Sequence, residues 1–224
     1  MTMMKNNNLA TIYLVRHGES EYNVRDNNGE IHISHQWGDG GAPLTKKGKQ
    51  QAETRAKELK DIQFDAIFSS DLNRAKQTAE IIKRERQLIV QTTKVLRERR
   101  ACFEEKTREE NETLMIHALK DLDDKAKMAY IPSPEYESPD ESATRILLFL
   151  REIAVACRGK TVLVTNHGNN MRNVLTHLGY AKYDELGHGA VKNTGYIILE
   201  CDGVDFFVKQ TREITKQKNN TRGW

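Results

Sequence analysis

The sequence predicts an α/β fold: a three-layer sandwich with a mostly parallel central sheet, helices on both faces and a small helical excursion near one end. Three observations carry this expectation. Short apolar, β-branched runs recur along the chain, stretches of helical period fall between them, and residues 99 to 137 break the alternation with a charged segment of their own.

The first run, Leu9 to Val15, is almost continuously apolar, the pattern of a strand buried on both faces. Residues 24 to 44, rich in Asn, Gly, Asp and His around Trp37, carry turn chemistry without periodicity and read as a long loop. Behind Thr45, the positions Ala52, Ala56, Leu59 and Ile62 keep helical spacing. Asp65 to Ser69 is the second strand. A helix with Leu72, Ala75, Ala79 and Ile82 on one face follows Ser70-Asp71, which offer potential caps. Leu88 to Val95 is the third strand.

The excursion opens on the charged run Glu104 to Glu112, continues as a helix from Glu112 to Tyr130 with Met115, Ala118, Leu122 and Ala126 on one side, and ends at Pro132 and Pro134. Ser138-Pro139-Asp140-Glu141 is a capping box with Pro at the first helical position, and a stripe from Ala143 to Cys157 marks the helix behind it. Thr161 to Thr165 forms a further strand. The helix after it carries Met171, Val174, Leu175 and Leu178 and closes at Gly179. Gly195 to Cys201 and Val204 to Val208 add two late strands around Asp202-Gly203.

Composition narrows the function classes. The 224 residues hold 35 Lys and Arg against 32 Asp and Glu, 38% hydrophobic residues, 14 Gly, 4 Pro and 3 Cys, which suits one globular domain over 1–224 and neither a fibrous nor a membrane-spanning chain. Five of the basic residues, Lys209, Arg212, Lys216, Lys218 and Arg222, lie in a tail whose only acid is Glu213. No basic stripe interleaved with aromatics is left to suggest nucleic acid. Residues 1–8 and 215–224 are expected to be flexible. Cys102, Cys157 and Cys201 are far apart and form no C-x-x-C pair, and Leu9 to Val15 is too short for an export signal. Reduced thiols and a cytoplasmic location are the expectation.

Open parallel sheets bind ligands at the carboxyl ends of their strands, so residues at those ends are the candidates for chemistry. The first strand runs into Arg16-His17-Gly18-Glu19, the second into Ser69-Ser70 with Arg74 a helical turn on, and the strand at 161 to 165 into Asn166-His167-Gly168. Glu98 follows the third. If these strands are neighbours, two imidazoles, two guanidiniums and a carboxyl converge on one crevice. Such a set suits a phosphoryl group: Arg forks bind its oxygens, imidazole can be nucleophile or donor, and a carboxylic acid can protonate a leaving oxygen. His32 and His35 read as surface residues, and His117, His177 and His188 as unremarkable ones.

Taken together these residues resemble the histidine phosphatase superfamily, which includes the phosphoglycerate-mutase-like enzymes. The resemblance rests on Leu14-Val15-Arg16-His17-Gly18-Glu19-Ser20 with Asn23, on Pro43-Leu44-Thr45 with Gly48 and Gln51-Ala52, and on Ser69 to Ala79. Leu96-Arg97-Glu98, Glu141-Ser142 and Thr165-Asn166-His167-Gly168 complete it. It implies that His17 is a nucleophile that becomes a phosphohistidine, with Nδ1 on a backbone carbonyl and Nε2 facing phosphorus. Arg16, Arg74 and His167 would hold the phosphate oxygens, Asn23 and Gly168 would bind substrate, and Glu98 would be the general acid. No metal and no cofactor are implied.

The sequence departs from the family pattern at Cys102 and Glu105-Lys106, where glycines and Glu-Gly are commoner, and at Asn166, where Ser is commoner. The expected activity is metal-independent phosphomonoester hydrolysis, with phosphoglycerate-mutase-type transfer and a catalytically weak phosphate-binding scaffold as alternatives. A small-molecule phosphate ester is the expected partner and a phosphoprotein a second possibility, with no nucleic acid and no membrane. Oligomeric state stays open, and substrate choice is assigned to the 24–44 loop and the 99–137 excursion.

Overall fold

The computed structural model describes residues 8–24, 40–84, 86–100, 103 and 106–217. The expectations for Trp37, His32, His35, Cys102 and Glu105 lie outside those residues.

Strands β1 (Ala10–Arg16), β2 (Ala66–Ser70), β3 (Val90–Thr93), β4 (Thr161–Asn166), β5 (Val191–Cys201) and β6 (Phe206–Ile214) form one sheet in the order β3-β2-β4-β1-β5-β6. The first four places are parallel, and β5 and β6 join antiparallel at one side. The sheet is therefore mostly parallel, as the alternation predicts. Among the described residues the α-helices are α1 (Lys46–Glu58), α2 (Asn73–Lys83), α3 (Arg108–Leu119), α4 (Asp124–Ala129), α5 (Pro139–Ala156) and α6 (Gly168–His177).

β1 shows why two helical layers form. Ile12 and Leu14 pack into a cluster with Ala143, Ile146 and Leu150 of α5 and Met171 and Val174 of α6. Tyr13 and Val15, pointing the other way, join Ala56 of α1 and Ala79 and Ile82 of α2. The alternation of a strand sends successive side chains to opposite faces, so a strand apolar at every position needs helices on both.

Local chemistry sets most helix starts. Thr45 Oγ1 accepts from Gly48 N at 3.0 Å to begin α1. Ser138 and Glu141 form the expected capping box ahead of Pro139 in α5. Gly179, at φ +69, lets the chain turn out of α6, with Tyr180 N donating back to Leu175 O.

Several boundaries differ from the sequence expectation, among them the start of β5, which lies at Val191 rather than Gly195. Neither Ser70 nor Asp71 caps α2: its N-cap is Leu72, Ser70 Oγ accepts only from Leu72 N, and the Asp71 carboxylate is engaged by both Arg97 Nε and Nη2 at 2.8 Å. The third strand stops at Thr93, because the Thr93 side chain accepts from Val95 N and starts a 3-10 turn over Lys94–Leu96. The excursion is two helices rather than one. Asp123 takes the amide of Ala126 at 2.7 Å and begins α4 afresh, while a Thr107–Glu110 capping box starts α3 earlier than the charge run suggested. Finally, Asp202 Oδ1 accepts from Val204 N and Asp205 N, drawing Val204 into the turn so that β6 begins at Phe206 and runs on to Ile214.

α3 and α4 dock on the rest through Leu119 and Met128, which pack on Tyr183, and through the Lys127–Asp184 ion pair at 2.6 Å. Beyond β6, Thr215 N donates to Ala190 O and Gln217 N to Glu185 O. Residues 218–224 lie outside the described set. Among the described residues no helix is long and apolar enough to cross a membrane.

Candidate active site

Sheet register brings the candidate residues together. Arg16 of β1 pairs with Asn166 of β4, and Ser69 of β2 with Thr165, so three parallel strands end side by side. His17 N then donates to Asn166 O at 3.0 Å, carrying the two strand ends one residue further in step. A cavity of about 230 Å³ opens beyond them. Of the predicted residues, Arg16, His17, Asn23, Arg74, Glu98 and Gly168 line it. His167 does not reach the lining. It is fully buried, with its ring 5.2 Å from the His17 ring and tilted 60° to it.

His17 is held on every side. Its Nδ1 lies 2.7 Å from Gly18 O, and a carbonyl can only accept, so Nδ1 carries the proton and Nε2 of the neutral ring keeps its lone pair. Its own carbonyl accepts from Thr194 N at 3.3 Å and Asn193 Nδ2 at 3.2 Å. Burial pushes the imidazole well below its usual pKa, with Arg74 and then Arg16 adding in the same direction. The neutral ring is thus the form the site favours. His167 is also pushed well down, by burial and then by Arg74, His17 and Arg16. Neither of its ring nitrogens has a hydrogen-bond partner among the described residues.

The cations are equally fixed. Arg16 Nη1 donates to Val191 O at 2.6 Å, and Gly168 makes room for it: a Cβ there would stand 3.1 Å from Arg16 Nε. Arg74, 1% exposed, lies beside the Tyr22 ring. Burial lowers its pKa to about 10 while Glu98 and Tyr22 work against the drop, so it remains a cation at neutral pH. Gly18 N donates to Thr78 Oγ1, whose hydroxyl in turn donates to Arg74 O, tying the turn after β1 to α2.

Glu98 is gripped by backbone amides. Oε1 accepts from Arg99 N and Asn170 N at 3.0 and 3.1 Å, and Oε2 accepts from Asn169 N at 3.1 Å, so the carboxyl sits over the first turn of α6. Asn170 locks this corner. It accepts from Arg99 N and Ser142 Oγ and donates to Arg97 O and Asn166 Oδ1. Asn166, in the place where Ser is commoner, spends its Oδ1 on His167 N and Asn170 rather than on the His167 ring. The Asn23 Oδ1 accepts from Ser20 N and Ser20 Oγ, closing a 3-10 turn over Glu21–Asn23.

Two guanidiniums, a neutral imidazole whose lone pair meets no donor among the described residues, and a carboxyl at the first turn of α6 can seat an oxyanion and exchange a proton with it. The family model for the histidine phosphatase superfamily (branch 1) matches residues 12–213, from within β1 to within β6. The chain belongs to this superfamily. Within it, the chain is 31% identical over 175 residues, 71% of its own length and 70% of the relative's, to a probable phosphoglycerate mutase, GpmB, of Escherichia coli. YhfR of Bacillus stearothermophilus superposes with a TM-score of 0.71 at 27% identity, over 89% of this chain and 95% of that one. A mycobacterial glucosyl-3-phosphoglycerate phosphatase shares the fold, with a TM-score of 0.71 at 20% identity over 92% and 100% of the two chains.

Tyr22, Asn169, Arg172 and Asn193 also line the cavity and were passed over in the sequence, and His188, read there as unremarkable, lines it too. His188 and Asn193 flank the start of β5. Because β5 runs antiparallel to β1, its beginning lies where β1 ends, and a search confined to strand carboxyl ends passes over it. The signal was there in Gly187-His188-Gly189, turn chemistry directly ahead of a strand. Arg172 is masked by its neighbours, since Met171 and Val174 mark its helix as a core element.

Proposed function

We propose that this chain hydrolyses phosphomonoesters through a phosphohistidine on His17, without a metal or other cofactor, and that its substrate is a small molecule. The observation that carries the reading is the His17 ring itself: Nδ1 anchored to Gly18 O and a depressed pKa leave Nε2 a neutral nucleophile between two guanidiniums.

In the first step Nε2 attacks phosphorus in line, the P–N bond forms, and the bond from phosphorus to the ester oxygen breaks. That oxygen takes a proton from the Glu98 carboxyl and leaves as the alcohol. In the second step Glu98 accepts a proton from water, whose oxygen attacks the phosphohistidine; the P–N bond breaks, and inorganic phosphate and neutral His17 are released. Arg16 and Arg74 neutralise the phosphoryl oxygens in both steps, and His167, its ring 5.2 Å from that of His17 and its ring nitrogens without a partner among the described residues, is the further donor to them. Asn23 and Gly168 line the substrate's path.

The names of the curated relatives support a second reading, phosphoryl transfer between positions of a phosphoglycerate. The two readings part at the fate of the phosphohistidine, which water takes in one and a re-oriented acid in the other. One experiment tests both. With chelator present and an aryl phosphate as substrate, wild type should release inorganic phosphate and form an acid-labile phosphoryl adduct on His17, and His17→Ala should cut turnover by about 10⁴-fold or more. Turnover surviving in His17→Ala would refute the phosphohistidine. Phosphoglycerate isomerisation faster than hydrolysis would make the enzyme a mutase.

A further inference from the structure

The Arg172 guanidinium is built into the cavity wall with no hydrogen-bond or ion-pair partner among the described residues. Arg172 lies on α6 four residues after Gly168, on the same face of the helix, and its side chain leans back toward the cavity mouth as helical side chains do. It is only 9% exposed. Its guanidinium carbon sits 4.5 Å from the centre of the Tyr183 ring, yet none of its donors has a hydrogen-bond or ion-pair partner among the described residues, and Nε is sealed from solvent. Stacking on an aromatic face holds a guanidinium in place but leaves its in-plane N–H groups unsatisfied. Glu98, the only acidic residue lining the cavity among the described residues, already accepts three backbone amides with its two oxygens.

A buried cation with unused donors needs an anion. The phosphoryl group is not the only candidate for it. Arg16 packs against Gly168 in the first turn of α6, and Arg172 projects from the next, about 6 Å further along the axis. A phosphoryl group in the grip of Arg16 and Arg74 therefore leaves Arg172 facing the alcohol portion of the ester. Tyr183 keeps it there: the ring is buried against Leu119 and Met128 of the helical excursion, so that segment orients the guanidinium from behind.

Resting on the hydrolase reading above, we infer that Arg172 is a specificity-determining residue that takes a second anionic group, a carboxylate or a phosphate, on the alcohol side of the substrate. A planar fork of donors fits either group in the bidentate mode.

The test compares kcat/KM for glycerol 3-phosphate, 3-phosphoglycerate, propane-1,3-diol bisphosphate and an aryl phosphate in wild type, Arg172→Lys and Arg172→Met. Wild type should prefer one anionic ester over glycerol 3-phosphate by about 10- to 100-fold, the range for a charge-assisted hydrogen-bonded pair. Which of the two it prefers identifies carboxylate or phosphate. Arg172→Met should erase that ratio and Arg172→Lys should keep part of it. Equal turnover of charged and uncharged esters by wild type would overturn the inference while leaving the hydrolase reading intact. So would an Arg172→Met enzyme that slows on every ester by the same factor, the mark of a purely structural arginine. Failure of wild type to cleave any of the four esters would remove the hydrolase reading and this inference with it.

Discussion

Two regions of the cavity are held by different means. The floor, where Arg16, His17, Arg74 and Glu98 meet, is made of strand ends and first helical turns whose backbone groups hydrogen-bond one another directly, as in His17 N to Asn166 O and Asn170 N to Glu98. The far wall carries Arg172, and Tyr183 behind it leans on α3 and α4, which dock through a small apolar cluster and the Lys127–Asp184 ion pair. Phosphoryl chemistry needs atoms fixed to a fraction of an ångström, and a hydrogen-bonded sheet supplies that. Substrate choice needs only a correctly placed charge, which a separately docked segment can carry.

That contrast can be broken by mutation. Asn170→Ala should have the largest effect: it leaves Arg99 N, Ser142 Oγ, Arg97 O and Asn166 Oδ1 short of a partner in a fully buried corner. A loss of about 2–4 kcal/mol in denaturant unfolding is expected, together with a fall in kcat, because the backbone on either side of Glu98 loses the side chain that ties Arg99 N and Arg97 O in place. A stability loss below about 1 kcal/mol would show that the floor is not locked as described.

Acid should act next, and again through the floor. Both His17 and His167 have folded pKa values well below 6.5, so above pH 6.5 neither contributes to a pH dependence. Below it the unfolded chain binds protons that the folded one refuses, and stability falls as pH falls, by up to about 1.4 kcal/mol per pH unit for each imidazole until the folded values are reached. Unfolding measured from pH 7 to pH 5 should show this slope, and His17→Gln should reduce it. A slope unchanged in that variant would mean the ring is not kept neutral.

The smallest effect belongs to the wall. Lys127→Met removes the cation paired with the half-exposed Asp184, and should cost no more than about 0.5–1 kcal/mol. Aryl phosphate hydrolysis should be unaffected in this variant, because the residue lies outside the cavity. A loss comparable with that of Asn170→Ala would erase the distinction between the two regions.

How much of this was legible beforehand follows the same division. Strands β1, β2 and β4 could be read because a strand buried on both faces is apolar at nearly every position, and the groups at their ends stand out against that background. Thr45, Ser138-Pro139 and Gly179 marked helix boundaries because caps act within three or four residues. Asp71 misled for the opposite reason: its side chain answers to Arg97, twenty-six residues on, and no local rule reports that. The break between α3 and α4 turned on Asp123 competing for a backbone amide against an otherwise unbroken helical period.

Residue order alone therefore determined the layer architecture and the identity of the groups gathered at the strand ends, since both follow from periodicities and motifs that span a few residues. Only the folded chain decided that β5 enters antiparallel, bringing His188 and Asn193 to the mouth of β1, and that Arg172 turns its guanidinium onto Tyr183 with no acid to meet it among the described residues. Those outcomes depend on which distant segments become neighbours. Contacts between residues far apart in the chain are set by packing of the whole molecule, and leave no periodic trace in the segments that make them.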